Sequence, residues 1–347
     1  MQNRLIDLYS DTQTRPSAAM RAAMAAAEVG DEQRGEDPTI NSLCARVAEL
    51  LGQEDAVFLP SGTMANEISL LVHCRPGDEV LADRSSHILN SEGGAPAALA
   101  GAQITPLPGV RGVFTAADVR AAIREPSRYA PVTRVVSFEN TANFGGGTVW
   151  PLDVFGDAVK AARDGGCAVH LDGARLLNAA VAAGQPAAAW ASHCDSVWID
   201  FSKGLGCPVG AALAGSKAFI EQAWRWKQRM GGAMRQAGIL GAAALYALDH
   251  NVDRLADDHR AAKALADGLA ALPGVRVESA TNIVFFDVTQ TGFDAPSFAA
   301  RMLTRGVRVA AFSADRCRAV THHDVAFDDM ARVVEAARDV LQKERAA

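Results

Sequence analysis

Two polar side chains follow apolar runs at points where strands are predicted to end. Asp172 comes directly after Val169-His170-Leu171, and Lys203 follows the apolar run Val197-Trp198-Ile199 within a Ser-Lys-Gly segment. Because ligands of open α/β sheets bind at the carboxyl ends of the strands, we expect both side chains at that edge. A lysine amine can form a Schiff base, and a carboxylate can keep a ring nitrogen protonated, so the pair favours pyridoxal 5′-phosphate (PLP) as cofactor.

Two further segments fit the same ligand. Ser61-Gly62-Thr63 leads from a turn into a helix, where free backbone N–H groups and the Thr63 hydroxyl can bind a phosphate. His87 follows another predicted strand, where its imidazole can stack on a cofactor ring. Each feature alone is common as a helix cap, a turn or a solvated side chain. Their combination, each at a strand end, favours a cofactor site.

Longer segments carry a family resemblance. The most specific are Ser202 to Gly210 and Gly231 to Gln236, which contain Ser-Lys-Gly-Leu-Gly and Met-Arg-Gln. The others are Asp7 to Thr12, Thr14 to Pro16, Val29 to Asp31, Glu36 to Thr39, Phe58 to Asn66, His87, Glu92 to Gly94, Glu139 to Thr141, His170 to Arg175 and Val320 to His322. Through them the chain resembles the L-threonine aldolases, which are PLP-dependent enzymes of fold type I. The resemblance implies an α/β fold in which a large domain with a mostly parallel seven-stranded sheet precedes a small C-terminal α+β domain.

The resemblance also implies residue roles. Lys203 would hold PLP, Asp172 would face its ring nitrogen, and His87 would stack on the ring. The cofactor phosphate would be bound by Gly62, Thr63 and Ser202. Arg235 of a neighbouring subunit would also bind it. The substrate carboxylate would be bound by Ser10, Arg175 and Arg318, with Arg316 as the alternative to Arg318, and Arg175 is also counted with the cofactor-binding residues. Guanidinium groups suit this task because they stay charged and present paired donors to a planar carboxylate. No metal ligands are predicted.

Two positions depart from the family pattern. Ala142 follows Glu-Asn-Thr, where related sequences carry a histidine, and Arg34 precedes Gly-Glu-Asp-Pro, where they carry a tyrosine. The resemblance implies that both positions contact the β-hydroxyl and side chain of the substrate. The accepted substrate therefore stays open between L-threonine, L-allo-threonine and a β-hydroxy amino acid with a larger or anionic side chain, such as phenylserine or a hydroxyaspartate.

The predicted reaction is retro-aldol cleavage of an L-β-hydroxy-α-amino acid to glycine and an aldehyde. His87 or an ordered water is the candidate base for the β-hydroxyl. The alternative is β-elimination from a β-substituted amino acid, which needs the same cofactor residues and yields a keto acid and ammonia. A third hypothesis is a catalytically silent PLP-binding or regulatory protein. A dehydrogenase is disfavoured, because Gly145-Gly146-Gly147 does not run into a helix start.

The elements that must position these residues alternate between strands and helices. The predicted strands are 56–59, 79–82, 103–107, 134–138, 167–171 and 196–199, separated by helices such as 17–28, 116–124 and 154–163. This alternation is typical of a largely parallel sheet covered on both faces. One very long helical stretch is predicted over 237–272, followed by shorter strands and helices. We expect residues 1–247 to form the N-terminal arm and large PLP-binding domain, and 248–347 the small domain.

The composition of the chain limits the classes of partner that it is expected to bind. The chain has 347 residues, 34 Lys and Arg against 40 Asp and Glu, and no basic block, which argues against nucleic acid or a membrane surface as partner. The six cysteines are scattered, so no disulfide framework or zinc site is suggested, and no apolar run is long enough to span a bilayer. We therefore expect a cytoplasmic protein that binds a small amino acid, as a homodimer or homotetramer whose subunits share the active site.

Overall fold

A computed structural model describes residues 4–343. Its main sheet has seven strands in the order β2-β8-β7-β6-β5-β3-β4, and only β8 runs antiparallel to its neighbours. After β1 (Ile6–Asp7), these strands are β2 (Asp55–Leu59), β3 (Glu79–Asp83), β4 (Gln103–Leu107), β5 (Thr133–Glu139), β6 (Ala168–Gly173), β7 (Ser196–Asp200) and β8 (Ala211–Gly215). The predicted mostly parallel seven-stranded sheet is confirmed.

Helices cover both faces of this sheet. Along β2 the side chain of Phe58 joins one apolar cluster with Phe138 and Phe155, whereas Val57 and Leu59 join another on the opposite face. The helices are α1 (Ala18–Ala25), α2 (Pro38–Leu51), α3 (Gly62–His73), α4 (His87–Asn90), α5 (Ala116–Ala122), α6 (Leu152–Asp164), α7 (Leu176–Ala183), α8 (Ala188–Ala191), α9 (Lys217–Arg229), α10 (Gly238–His250), α11 (Leu255–Ala270), α12 (Ala295–Thr304) and α13 (Asp329–Lys343). Since both faces are buried, the central strands are apolar throughout.

Strand β8 was not predicted from the sequence. Its residues, Ala-Ala-Leu-Ala-Gly, lack the β-branched and aromatic side chains that favour strands, and alanine favours helices. All five residues are buried between β2 and β7, so the sheet around them determines their conformation.

The prediction of one long helix over 237–272 is wrong in one respect, because the chain forms two helices there, α10 and α11. They are separated at residues 251–254, where the Asn251 side-chain amide donates a hydrogen bond to the Leu205 carbonyl at 2.7 Å. The apolar spacing continues through the break, so sequence periodicity does not reveal it. α10 packs on α1 and α2, whereas α11 packs on α13.

A smaller sheet in the order β12-β13-β10-β9 follows. Its strands are β9 (Arg276–Ser279), β10 (Ile283–Asp287), β12 (Ala310–Ala311) and β13 (Arg316–Val320), while β11 (Val307–Arg308) pairs in parallel with β1. Ile6 and Leu8 of the arm pack in the same core as α11, α12 and α13. The division at 247/248 stays a prediction, and the packing adds that the arm reaches the C-terminal core. Among residues 4–343, no helix is both long and apolar enough to cross a membrane.

Candidate active site

The ends of β5, β6 and β7 and the start of α3 surround a cavity of about 520 Å³. Most of the predicted site residues line it: Ser10, Gly62, Thr63, His87, Asp172, Arg175, Ser202, Lys203 and Arg318. Other lining residues had no role assigned from the sequence, although Glu92 and Glu139 belong to the segments that carry the family resemblance: Glu92, Glu139, Asn143, Phe144, Asp200 and Phe312. The cavity lies where a topological rule places ligands of α/β sheets.

Asp172 stands near the end of β6 and is 2% exposed. Its Oδ2 accepts a hydrogen bond from the Asn66 amide at 2.9 Å, and its Oδ1 accepts one from the Ala174 N–H at 3.0 Å. Burial raises the pKa of Asp172, while His87, the Asn66 bond and Lys203 act against that rise. A buried carboxylate that only accepts hydrogen bonds is suited to a cationic N–H partner.

His87 begins α4 and is tied to two acidic residues. Its backbone N–H donates to Glu139 Oε2 at 2.6 Å, and its Nδ1 lies 2.6 Å from Glu92 Oε1. Burial lowers the pKa of His87, but the Glu92 bond and the charge of Asp172 outweigh it and raise the pKa overall. Glu139 behaves differently, because burial and the nearby Asp172 raise its pKa to about 7.

Lys203 follows β7 in a loop whose geometry is set by Asp200. Asp200 Oδ1 accepts hydrogen bonds from the backbone N–H and hydroxyl of Ser202, both at 2.7 Å, and its Oδ2 pairs with Lys203 Nζ. The Thr14 hydroxyl donates to the Lys203 carbonyl at 2.8 Å. Asp200 was missed in the sequence, although its position three residues before Lys203 at a strand end was a usable signal.

The segment that was predicted to bind a phosphate has the geometry of a helix start. The Ser61 hydroxyl accepts the Met64 N–H at 3.2 Å, which leaves the N–H groups of Gly62 and Thr63 in the first turn of α3, where helices bind anions. A Cβ atom on Gly62 would lie 2.2 Å from the Trp198 ring. Glycine is therefore required there for close packing of the turn against Trp198.

Two arginines, Arg175 and Arg318, line the same cavity. Arg175 is bidentate to Asp11, with Nε to Oδ2 at 2.8 Å and Nη2 to Oδ1 at 2.6 Å. Arg318 Nη1 donates to Asn143 Oδ1 at 3.1 Å, and its buried Nε has no hydrogen-bond partner among residues 4–343. Burial and the charge of Arg175 lower the pKa of Arg318. An anion placed between these groups would relieve the repulsion.

Two further charged residues bear on the carboxylate-binding prediction: Asp11, which pairs with Arg175, and Arg316, the alternative to Arg318. Burial acts to raise the pKa of Asp11, but the Arg175 charge and hydrogen bonds hold it well below its usual range. Arg316 pairs with Glu278 at 3.1 Å and its guanidinium lies over the Phe285 ring. Arg318 rather than Arg316 therefore lines the cavity.

Three predicted residues do not line this cavity in the described chain. Arg34 pairs with Glu36 on the surface at 3.2 Å, and the exposed Arg235 pairs with Asp31 at 2.8 Å. Ala142 is 2% exposed and borders a separate cavity of about 10 Å³. A role for Arg235 in a neighbouring subunit's site, and substrate contacts by Arg34 and Ala142, stay predictions.

Comparison with known proteins gives a consistent result. A model of the beta-eliminating lyases matches residues 7–291. The chain is 41% identical to a probable low-specificity L-threonine aldolase 2 of Arabidopsis thaliana, over 95% of this chain and 96% of the relative. It is 40% identical to a low specificity L-threonine aldolase of Escherichia coli O157:H7, over 98% of this chain and 100% of the relative.

Solved structures share the fold. A threonine aldolase of Leishmania major superposes with a TM-score of 0.83 at 23% identity, covering 97% of this chain and 99% of that one. A putative L-allo-threonine aldolase of Listeria monocytogenes gives a TM-score of 0.81 at 24% identity, covering 99% and 97%.

Proposed function

Because the chain belongs to the beta-eliminating lyase family, beside low-specificity L-threonine aldolases, we propose that it is a PLP-dependent aldolase. Its proposed reaction is the cleavage of an L-β-hydroxy-α-amino acid to glycine and an aldehyde. The observation that carries the proposal is one cavity that is lined by Lys203 and Asp172 and also by Arg175 and Arg318. An amine, a buried carboxylate and a carboxylate-binding pair are what an amino acid bound beside PLP requires.

The residues present fit PLP. Lys203 offers the amine, Asp172 offers two acceptor oxygens for the ring N–H, and the first turn of α3 with Ser202 offers donors for the phosphate. When bound, PLP supplies an electron-accepting ring that stabilises the negative charge left on Cα as the Cα–Cβ bond breaks.

The chain's own side chains have separable tasks. Arg318 and Arg175, whose Nη1 groups both donate to Asn143 Oδ1, bind and orient the substrate carboxylate, while Asp11 holds Arg175 in place. Glu92, whose pKa is lowered, accepts a hydrogen bond from His87 Nδ1–H. In neutral His87 the unprotonated nitrogen is then Nε2, and the raised pKa of His87 makes this nitrogen a stronger base. His87 is thus the proposed acceptor for the β-hydroxyl proton, directly or through a water, since Ala142 offers no polar group.

The substrate side chain is proposed only as a class. Phe144 and Phe312, whose ring centroids lie 4.8 Å apart, form an apolar part of the cavity wall that can take a side chain larger than a methyl group. Threonine, allo-threonine, phenylserine and a hydroxyaspartate all remain candidates. A homodimer or homotetramer and a cytoplasmic location are part of the same proposal.

The test is a product assay over a panel of β-hydroxy-α-amino acids. The purified holoenzyme is expected to release aldehyde and glycine in equal amounts from at least one of them. Release of a keto acid and ammonia instead would establish β-elimination and overturn the aldolase proposal. Stable PLP binding with no product from any compound would indicate a catalytically silent PLP-binding protein.

A further inference from the structure

Asn66, in the second turn of α3, is at the centre of a buried hydrogen-bond network that includes Asp172. It is 0% exposed, and its carboxamide has a partner in every direction. Nδ2 lies 2.9 Å from Asp172 Oδ2 and 3.0 Å from Glu92 Oε1, while Oδ1 lies 2.6 Å from Trp198 Nε1 and 3.0 Å from His170 Nε2. The amide therefore uses both of its donors and both lone pairs of its acceptor.

The neighbours fix which way the amide points. An indole N–H can only donate, so the Asn66 atom facing Trp198 must be the oxygen. The nitrogen then faces the two carboxylates, which can only accept while they are ionised. Reversing the amide would place its oxygen against Asp172 and Glu92 and its N–H groups against Trp198. Asn66 thus acts as a donor toward Asp172.

The same reasoning fixes the proton positions further from the cavity. His170 Nε2 must donate to Asn66 Oδ1, and since burial lowers the pKa of His170 to about 3, its Nδ1 carries no proton. That Nδ1 accepts the Ser196 hydroxyl at 2.8 Å, and Ser196 Oγ in turn accepts His73 Nε2 at 2.9 Å. Burial also lowers the pKa of His73, to about 4. This branch through His170, Ser196 and His73 is therefore uncharged, and it presents Asn66 to Asp172 in one orientation.

We propose that Asn66 is a positioning residue that holds Asp172 oriented and ionised toward the ring nitrogen of the cofactor. Burial disfavours a charge on Asp172, and a donor that cannot itself be deprotonated offsets this without adding a competing positive charge. Glu92 receives the second Asn66 donor, so one amide fixes both Asp172 and the carboxylate that contacts His87. The proposal rests on the proposed function only in taking PLP as the group that Asp172 faces.

A merely structural role would lower stability without changing which ring atom the site prefers. The test therefore compares binding of PLP with binding of 1-deaza-PLP, in which a C–H replaces the ring nitrogen. Dissociation constants are measured on apoprotein for the parent, Asn66→Asp and Asn66→Ala. Asn66→Asp keeps the size of the side chain and the oxygen that accepts from Trp198 and His170, but it replaces the donor NH2 with a second oxygen, which when ionised repels Asp172 and Glu92. Ser69→Ala is the matched control, because Ser69 is equally buried in α3 and donates only to the Ala65 carbonyl.

The parent is expected to prefer PLP over the deaza compound. Removing a hydrogen bond to a charged group should reduce that preference about tenfold or more in both Asn66 variants. Ser69→Ala should keep the preference within about twofold even where its melting temperature falls. If Asn66→Ala is too unstable to bind either compound, Asn66→Asp decides the matter. A preference unchanged in the Asn66 variants would overturn the inference, whereas a parent that binds no PLP would overturn the proposed function instead.

Discussion

Two groups of residues at the cavity differ in net charge. The sheet wall comprises the lining residues His87, Glu92 and Asp172 together with Asn66, and it is built on β6, α3 and the segment after β3. Asn66 is fully hydrogen-bonded, whereas Glu92 Oε2 has no hydrogen-bond partner among the residues that the structure describes. The arginine wall, comprising Asp11, Asn143, Arg175 and Arg318, is assembled from loops, the arm and β13, and leaves Arg318 Nε unpaired in the described chain.

This difference in charge suits the two walls to different ligands, a cofactor and a substrate. The sheet wall is rigid and presents negative charge, which suits a group that stays bound through every turnover. The arginine wall presents excess positive charge and an unused donor, which suits an anion that arrives and leaves. We infer that cofactor affinity is determined mainly by the first wall and substrate affinity by the second.

The largest effect is expected from Lys203→Ala, which removes the amine that is proposed to hold PLP. Turnover should fall on the order of 10³-fold or more, because covalent attachment depends on one nitrogen. Borohydride reduction of the parent followed by peptide mapping should place the cofactor on Lys203. A label on any other lysine contradicts the assignment.

Asp172→Asn tests the sheet wall. A neutral amide cannot keep the ring nitrogen protonated, so kcat should fall about 10²- to 10³-fold with little change in KM. The melting temperature provides the control, because an amide of the same shape should leave the fold intact. Near-parental kcat would show that this carboxylate is not needed for the electron-accepting ring.

Arg175→Met tests how the arginine wall is held together. It leaves Asp11 buried without its cation, which should lower the free energy of unfolding by about 3–5 kcal/mol at pH 7. Because Arg175 depresses the pKa of Asp11, the stabilisation that the pair provides is present above the unfolded pKa of about 4 and is lost as pH falls. The gap between parent and variant, measured by denaturant unfolding, should therefore narrow on acidification. A gap that is constant with pH would exclude Asp11 ionisation as its cause.

Arg318→Gln tests the substrate side alone. Loss of a charge-assisted contact to the substrate carboxylate should raise KM about ten- to a hundredfold, while PLP affinity stays within about twofold. Arg316→Gln is the matched control, because Arg316 pairs with Glu278 and does not line the cavity. An equal rise in KM in both variants would mean that general charge, and not the position of Arg318, binds the substrate.

The smallest effect concerns Ala142, which lies outside both walls. A Cβ placed on Gly112 would lie only 2.4 Å from the Cβ of Ala142, and the adjoining cavity measures about 10 Å³. Because the surroundings of Ala142 are this tight, an imidazole does not fit there without displacement of the backbone. Ala142→His should lower the free energy of unfolding by about 1–3 kcal/mol, and Ala142→Ser by less. Equal melting temperatures for the parent and the histidine variant would show that this loop repacks freely.

The sequence alone predicted six of the seven strands of the main sheet, the family and the residues that are expected to carry the chemistry. Runs of buried β-branched residues alternate with amphipathic helices, and that alternation depends on local side-chain pattern. Asp172 and Lys203 could be placed together because parallel strands deliver their carboxyl ends to one edge. The resemblance pointed to Arg318, which now lines the cavity with Arg175. These inferences needed no knowledge of which residues touch.

Only the tertiary structure decided what holds those residues. Asp11 reaches Arg175 and Asn282 across long stretches of chain, and Asn66 on α3 reaches Asp172 on β6, so no local spacing links them. Strand β8 and the break between α10 and α11 likewise depend on burial by distant segments, which overrides the preference of an alanine-rich sequence for a continuous helix. Hydrogen-bond partners and the pKa shifts that follow from burial are properties of contacts between distant segments. The identity of a reactive group can therefore be predicted from the sequence, while its orientation and ionisation follow from the fold.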